Sequence, residues 1–217
     1  MIDRDRIGGE TSLPAHERLY RTLRARVMHG LIPPGQALTL RGLAAEFGVS
    51  MTPAREAVRR LVAEGALKLT PSGRVSTPEL TADRIEELAA LRALLEPELA
   101  SRALPRAHPT LIDRMAAING VIDEMIVKGD ASGYVRTNLE FHRTLYLRAQ
   151  APAILGLVET VWLQSGPTMR VLYERLQRQQ ASDNHRKIIA ALRAGDEPGL
   201  RLAIRVDVTR GLRMLAV

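Results

Sequence analysis

Residues 34–65 read PGQALTLRGLAAEFGVSMTPAREAVRRLVAEG, and this stretch decides the fold. Leu40, Leu43, Ala44 and Phe47 recur at i, i+3, i+4 and i+7, the spacing of a helix with one apolar face. Gly48 has the backbone freedom to end that helix. Ser50 can cap the next helix, and Pro53 fits its first turn. This second helix buries Ala57, Val58, Leu61 and Val62 and exposes Arg55, Arg59 and Arg60. A short helix, a glycine turn and a second helix with arginines on its free face is a helix-turn-helix built to meet DNA.

Working outward, residues 16–29 form a preceding helix with Leu19, Leu23, Val27 and Met28 facing inward. Gly30 ends it, and Ile32-Pro33-Pro34-Gly35 makes a stiff turn. Beyond Gly65, the segments 66–69 and 74–77 flank Pro71-Ser72-Gly73 as a small hairpin, a wing with Gly73 and Arg74 near its tip. From Thr81 onward no strand pattern appears. Helices are expected near 81–103, 108–129, 131–149, 152–163, 165–179, 182–194 and 196–215, with Thr81 as an N-cap and a kink at Pro97. The expected fold is mostly α: a winged helix-turn-helix of three helices and a small β-hairpin, followed by an all-α helical bundle. Its divisions are a flexible tail over 1–13, the winged domain over 14–77, a linker over 78–81 and the helical domain over 82–217.

Composition agrees. The chain is 46% hydrophobic but only 3% aromatic, which favours Leu/Ala helix packing over a β-sandwich. It has no cysteine, which excludes a disulfide framework, a thiolate metal site and a thiol nucleophile. No apolar run reaches the ~18 residues of a membrane span, and MIDRDRIGGE lacks a signal peptide's apolar core, so a cytoplasmic protein with no membrane partner is expected. The formal charge is +7. Residues 1–77 hold 12 basic and 7 acidic side chains, and residues 78–217 hold 19 and 17, so the excess surrounds the helix-turn-helix. That is the footprint of a phosphate-binding surface.

The series Gly30, Pro34-Gly35, Leu40, Leu43-Ala44, Gly48-Val49-Ser50, Thr52 to Ala57, Leu61 and Glu64-Gly65 resembles the GntR family of bacterial transcription regulators. Leu91-Arg92, Leu95-Glu96, Phe141-His142, His185-Arg186, Ile189, Leu192 and Gly195-Asp196 resemble its FadR-like subgroup, whose helical effector domain is called FCD. The resemblance implies a homodimer on a palindromic double-stranded DNA operator, most often as a repressor. The contacts it implies agree with the physical reading. Arg41 reaches a phosphate or a guanine edge. Ser50 and Thr52 meet phosphate at the helix N-terminus. Arg55 reads guanine in the major groove. Gly73 and Arg74 enter the minor groove. Met51 departs from the arginine common among relatives; it cannot donate a hydrogen bond and fits a thymine methyl instead. Arg59 and Arg60 read as a solvated face or as backbone contacts.

In FCD relatives four positions, usually Asp, His, His and His, hold a divalent metal, and a small carboxylate effector completes its coordination. The matching positions here are Asn138, His142, His185 and Asp207. Two imidazoles and one carboxylate remain a workable set for zinc, nickel or manganese; the alternative is a hydrogen-bonded cluster in a metal-free pocket. Arg92 matches an arginine that meets the effector, or it pairs with Glu96 four residues on. Arg143, Tyr146 and Arg170 are further candidates for lining the effector pocket. His16, His29 and His108 read as surface or helix-end residues. The expected switch is linkage: the effector prefers one arrangement of the helical domain and shifts the DNA-binding domains through the linker near Pro78 and the Arg92 helix. An alternative is a helical domain that only dimerises. A metal-dependent enzyme is remote, since no HExxH, nucleophile elbow or phosphate loop is present.

Overall fold

The computed structural model describes residues 13–70, 73–176 and 184–213. The polar tail expected over 1–13 lies outside these residues apart from Leu13. So do Pro71-Ser72 of the wing, the segment 177–183 and residues 214–217.

The N-terminal unit is α1 (Ala15–Met28), β1 (Ala37–Leu38), α2 (Leu40–Glu46), α3 (Met51–Ala63), β2 (Lys68–Leu69) and β3 (Val75–Ser76). α1 packs across α3, and Leu19, Leu23, Val27, Ala54, Ala57, Val58 and Leu61 bury almost completely. Each large apolar side chain so buried contributes ~1.5–3 kcal/mol. The wing expected as a two-stranded hairpin is a three-stranded antiparallel sheet of order β1-β3-β2. The extra strand is only two residues, Ala37 opposite Ser76 and Leu38 opposite Val75, too short to show an alternating pattern.

α4 (Ala82–Ala103), α5 (Pro109–Lys128), α6 (Ala131–Tyr146), α7 (Pro152–Leu176), α8 (Asn184–Ala194) and α9 (Glu197–Arg213) form the C-terminal bundle. Thr81 caps α4, its hydroxyl accepting from Arg84 N at 3.3 Å. α4 runs on through Pro97. The most extensive helix pairing is α4 against α9, with α5 on α6 and α8 on α9.

One expectation fails in an instructive way. Separate helices are expected over 152–163 and 165–179, yet α7 is continuous from Pro152 to Leu176, through Gly166-Pro167. The pair is a docking feature instead. A Cβ at Gly166 would lie 2.4 Å from Val27 O and 2.6 Å from Met28 O, so the missing side chain lets the end of α1 sit directly on α7. Two residues earlier, Gln164 Nε2 donates to Glu64 O at 3.0 Å, and Arg84 Nη2 donates to Gln164 Oε1 at 2.8 Å. The winged unit is therefore seated on α7 at the ends of both α1 and α3.

Candidate functional site

Two sites emerge, one on the winged unit and one inside the bundle.

On the winged unit, α2 is capped by Thr39, whose hydroxyl accepts from Gly42 N at 2.9 Å. It ends in a reversed turn: Val49 N reaches Ala44 O, Gly48 N reaches Ala45 O, and Gly48 sits at φ +62°. A residue with a side chain would be strained there. The turn aims the N-terminus of α3 outward. Ser50 stands at the N-cap of α3, but its side chain makes no cap hydrogen bond, contrary to the capping role expected of it. Its hydroxyl and the first N–H groups of α3 stay open to an anion.

Arg41, Ser50, Met51, Thr52, Arg55, Gly73 and Arg74 are all exposed. Arg41, Arg55 and Arg74 make no ion pair among the described residues. Arg60, on the same helix, is committed: it pairs with Glu17 at 3.0 Å and Glu64 at 3.5 Å and lies 3.6 Å over the Tyr20 ring. It ties α3 to α1, a role the sequence pattern did not distinguish from that of Arg55. In the wing, Thr70 holds the backbone of Arg74 through N–H to O at 2.9 Å and through its hydroxyl, which accepts from Arg74 N at 3.1 Å. Gly73, at φ +79°, has open space where a Cβ would be.

Inside the bundle, α6 supplies His142, α8 supplies His185 and α9 supplies Asp207. Their ligand atoms all lie within 4.8 Å of one another. His142 Nε2 is 3.1 Å and His185 Nε2 is 3.7 Å from Asp207 Oδ2. Both Nε2 atoms are buried, and neither is aligned for a hydrogen bond. The opposite ring nitrogens fix the tautomers. His185 Nδ1 lies 3.0 Å from Asn119 Oδ1, an acceptor, so Nδ1 carries the proton and Nε2 a lone pair. His142 Nδ1 lies 3.3 Å from Tyr146 Oη, whose own proton goes to Glu96 Oε2 at 2.9 Å. The phenol oxygen is then an acceptor, and His142 Nε2 is also a lone pair. Phe141 stacks on the His185 ring with centroids 4.1 Å apart and keeps it in place. Burial pushes the Asp207 carboxyl up, and positive charge at the His185 and His142 positions outweighs it and holds the group well below the usual carboxylate range; with both Nε2 atoms as lone pairs, that charge is what a divalent cation would supply.

Two converging imidazole lone pairs and an ionised carboxylate, each imidazole oriented by a partner on its far nitrogen, fit a divalent cation. Asn138 is buried one turn before His142 on α6.

The effector candidates separate. Tyr146 belongs to the cluster; burial and Glu96 push its phenol up, so it remains a donor. Arg92 is buried and spends both its hydrogen bonds on Glu96, so the i, i+4 pairing is the geometry present. Arg143 faces outward and pairs with Glu159 at 3.0 Å, and Arg170 packs beside Gly30 at the end of α1, 3.3 Å from the position a Cβ there would take. The structure brings neither to the histidines. Arg143 shares α6 with His142 but points outward, and Arg170 lies on α7, which supplies none of the three cluster residues. Sequence reasoning missed Asn119, 66 residues from its histidine. It also missed the centrality of Glu96, whose fully buried carboxylate takes hydrogen bonds from Arg92, Tyr146 and Trp162 Nε1.

The family model described as bacterial regulatory proteins, gntR family, matches residues 15–75, and that of the FCD domain matches residues 87–210. The HTH-type transcriptional regulator McbR of Escherichia coli is 28% identical over 196 residues, 89% of each chain. The gluconate operon transcriptional repressor of Bacillus licheniformis is 30% identical over 187 residues, 80% of this chain and 74% of its own. The solved structure of E. coli McbR/YncC superposes with a TM-score of 0.84 at 25% identity, covering 94% of this chain and 97% of that one. These families and relatives are transcription regulators, not enzymes.

Proposed function

The chain belongs to the GntR family of bacterial regulatory proteins and carries the FCD domain, and we propose that it is a ligand-responsive repressor acting as a homodimer on a palindromic operator in the cytoplasm. α3 enters the major groove. Ser50, Thr52 and the first N–H groups of α3 meet phosphate, Arg55 reads guanine, and Met51 lies against a thymine methyl. Arg41 and Arg74 hold the flanking backbone and the minor groove. One winged helix makes too few base contacts for high specificity, and a two-fold pair doubles them.

His142, His185 and Asp207, with Asn138 beside them, would hold a divalent cation such as zinc, nickel or manganese. The observation that carries this reading is the pair of buried Nε2 atoms left without hydrogen bonds in front of Asp207. When bound, such a cation supplies a Lewis-acidic centre of net positive charge that attracts a small carboxylate. The protein's own residues orient the imidazoles and exclude competing water. The signal leaves through α7. Trp162 bonds Glu96 in the cluster, and Gln164 and Gly166, within one turn of it, carry the winged unit. A ligand that favours one arrangement of Tyr146 and Glu96 thereby biases the seat of α1 and α3. This route adds to the linker and the Arg92 helix.

The test is operator selection from random duplexes by the purified protein, followed by titration. Replacing Arg55 by Ala removes about 1–3 kcal/mol of discrimination and relaxes the sequence preference. An unchanged footprint refutes the DNA assignment. Zinc with a panel of sugar acids and dicarboxylates should shift operator affinity; no shift with any of them reduces the helical domain to a dimerisation module.

A further inference from the structure

A cleft of about 610 Å³ opens where the end of α1 faces α5, α6 and α7. It is separate from the histidine cluster and has one wall in each unit of the chain. Its rim carries Arg24 and His29 from the winged unit and Arg114, Arg136, Arg143 and Arg148 from the bundle. Against these five guanidiniums stand the lining carboxylates Glu140 and Glu159. Both carboxylates are already used, Glu140 by Arg114 at 3.6 Å and Glu159 by Arg143 at 3.0 Å. Arg24 pairs outside the lining, with Glu64 at 3.3 Å. Arg136 and Arg148 make no ion pair among the described residues. Burial first, and then the charge of Arg136, lower the His29 pKa, so the field of that guanidinium reaches across to the winged unit. The floor is Leu111, Leu139 and Trp162, which gives the cleft a concave, partly apolar base.

We propose that this cleft binds a small molecule with two or more anionic groups, phosphate or carboxylate. The volume is that of a small-molecule pocket. The two guanidiniums with free forks, Arg136 and Arg148, suit bidentate recognition of oxyanions. The cleft bridges both units, so its occupant ties the end of α1 to α6 and changes how freely the winged unit moves on α7. Its floor also meets the first site. Trp162 Nε1 donates to Glu96 Oε1 at 3.0 Å, Glu96 holds Tyr146, and Tyr146 touches His142. The two sites are therefore linked, and an anion here modulates the response to the ligand there.

Trp162 is the chain's only tryptophan, so its emission reports on the cleft. The full chain, stripped with EDTA, is titrated with pyrophosphate and in parallel with citrate, followed by calorimetry and by emission. Saturable binding of one of them with an emission change is expected. Arg136→Gln or Arg148→Gln should weaken it about tenfold to a hundredfold, with an unchanged far-UV spectrum. His142→Ala should leave it in place. The stronger of the two probes identifies the ligand as phosphate- or carboxylate-bearing. The proposal is overturned by absence of saturable binding with both probes, by binding that both arginine variants retain, or by displacement with an equimolar nonspecific duplex, which would make the cleft part of the DNA path.

Discussion

Replacing Glu96 by Gln tests the centre of the bundle. Glu96 is fully buried, and its carboxylate takes hydrogen bonds from Arg92 Nε and Nη2, Tyr146 Oη and Trp162 Nε1. Glutamine keeps the shape but offers one carbonyl where four donors converge. Its amide points a donor at donors, and the Arg92 charge, 4% exposed, loses its counterion. Breaking a buried pair in this way costs about 3–5 kcal/mol. At roughly 2–4 °C per kcal/mol for a chain of this size, the Tm should fall by about 6–20 °C. An exposed i, i+4 pair sets the contrast: Lys128→Ala, which removes the 3.0 Å contact to Glu124, should cost only ~0.5 kcal/mol. The double variant Arg92→Met/Glu96→Gln removes both charges and should recover most of the loss, because an apolar replacement of a buried pair is often neutral. Thermal unfolding followed by circular dichroism measures all three. A Glu96→Gln loss below about 1 kcal/mol, or a double variant no better than the single, would refute the claim that Glu96 is held as a buried counterion.

Further outcomes follow from the same geometry. Zinc added to the metal-stripped chain should raise Tm, by about 2.7 kcal/mol of stability at a hundredfold excess over Kd; His185→Ala should remove the increase, and a rise that survives the substitution would place the metal elsewhere. Asn119→Ala frees the His185 tautomer and should weaken zinc binding by roughly tenfold to a hundredfold in a chelator competition. Gly166→Ala drives a Cβ toward the carbonyls of Val27 and Met28; it should destabilise the chain by about 1–3 kcal/mol and raise protease sensitivity at the junction of the two units. Burial and Arg136 lower the His29 pKa in the folded chain, so the unfolded chain binds the proton more readily. Stability from this residue is complete above the unfolded histidine pKa, ~6.5, and declines as the pH falls below it. His29→Gln should flatten that part of the stability profile, and an unaltered slope between about pH 6.5 and 5 would contradict the assignment.

What the sequence displayed was local. The helix-turn-helix was legible because Leu40, Leu43 and Ala44, the Gly48 turn and the Ala57-Val58-Leu61 face each act within one or two turns of chain. Arg55 was legible as a free cation for the same reason, but Arg60 was not distinguishable from it. What separates them is Glu17 and Tyr20, about 40 residues away on α1. The same limit governs the bundle. His142 and His185 stood out by residue type and resemblance, while Asn119, which sets one tautomer, had no signal at all. The division of α7 into helices over 152–163 and 165–179 fails because Gly166, a local breaker, serves a tertiary contact with the end of α1. Proline there does lack its N–H, yet α7 continues, because Trp162, Leu163, Ser165, Gly166 and Pro167 are buried in the bundle and against α1. The altered pocket shows the reverse case. From the sequence, a histidine of the usual ligand set replaced by Asp207 leaves either a workable metal set or a hydrogen-bonded cluster in a metal-free pocket. In the fold Asp207 faces both imidazole Nε2 atoms, 3.1 Å from one and 3.7 Å from the other. A carboxylate at that position supplies charge that a third imidazole would not. The exchange keeps two imidazoles and one carboxylate together in one cluster, the donor set that the proposed cation needs.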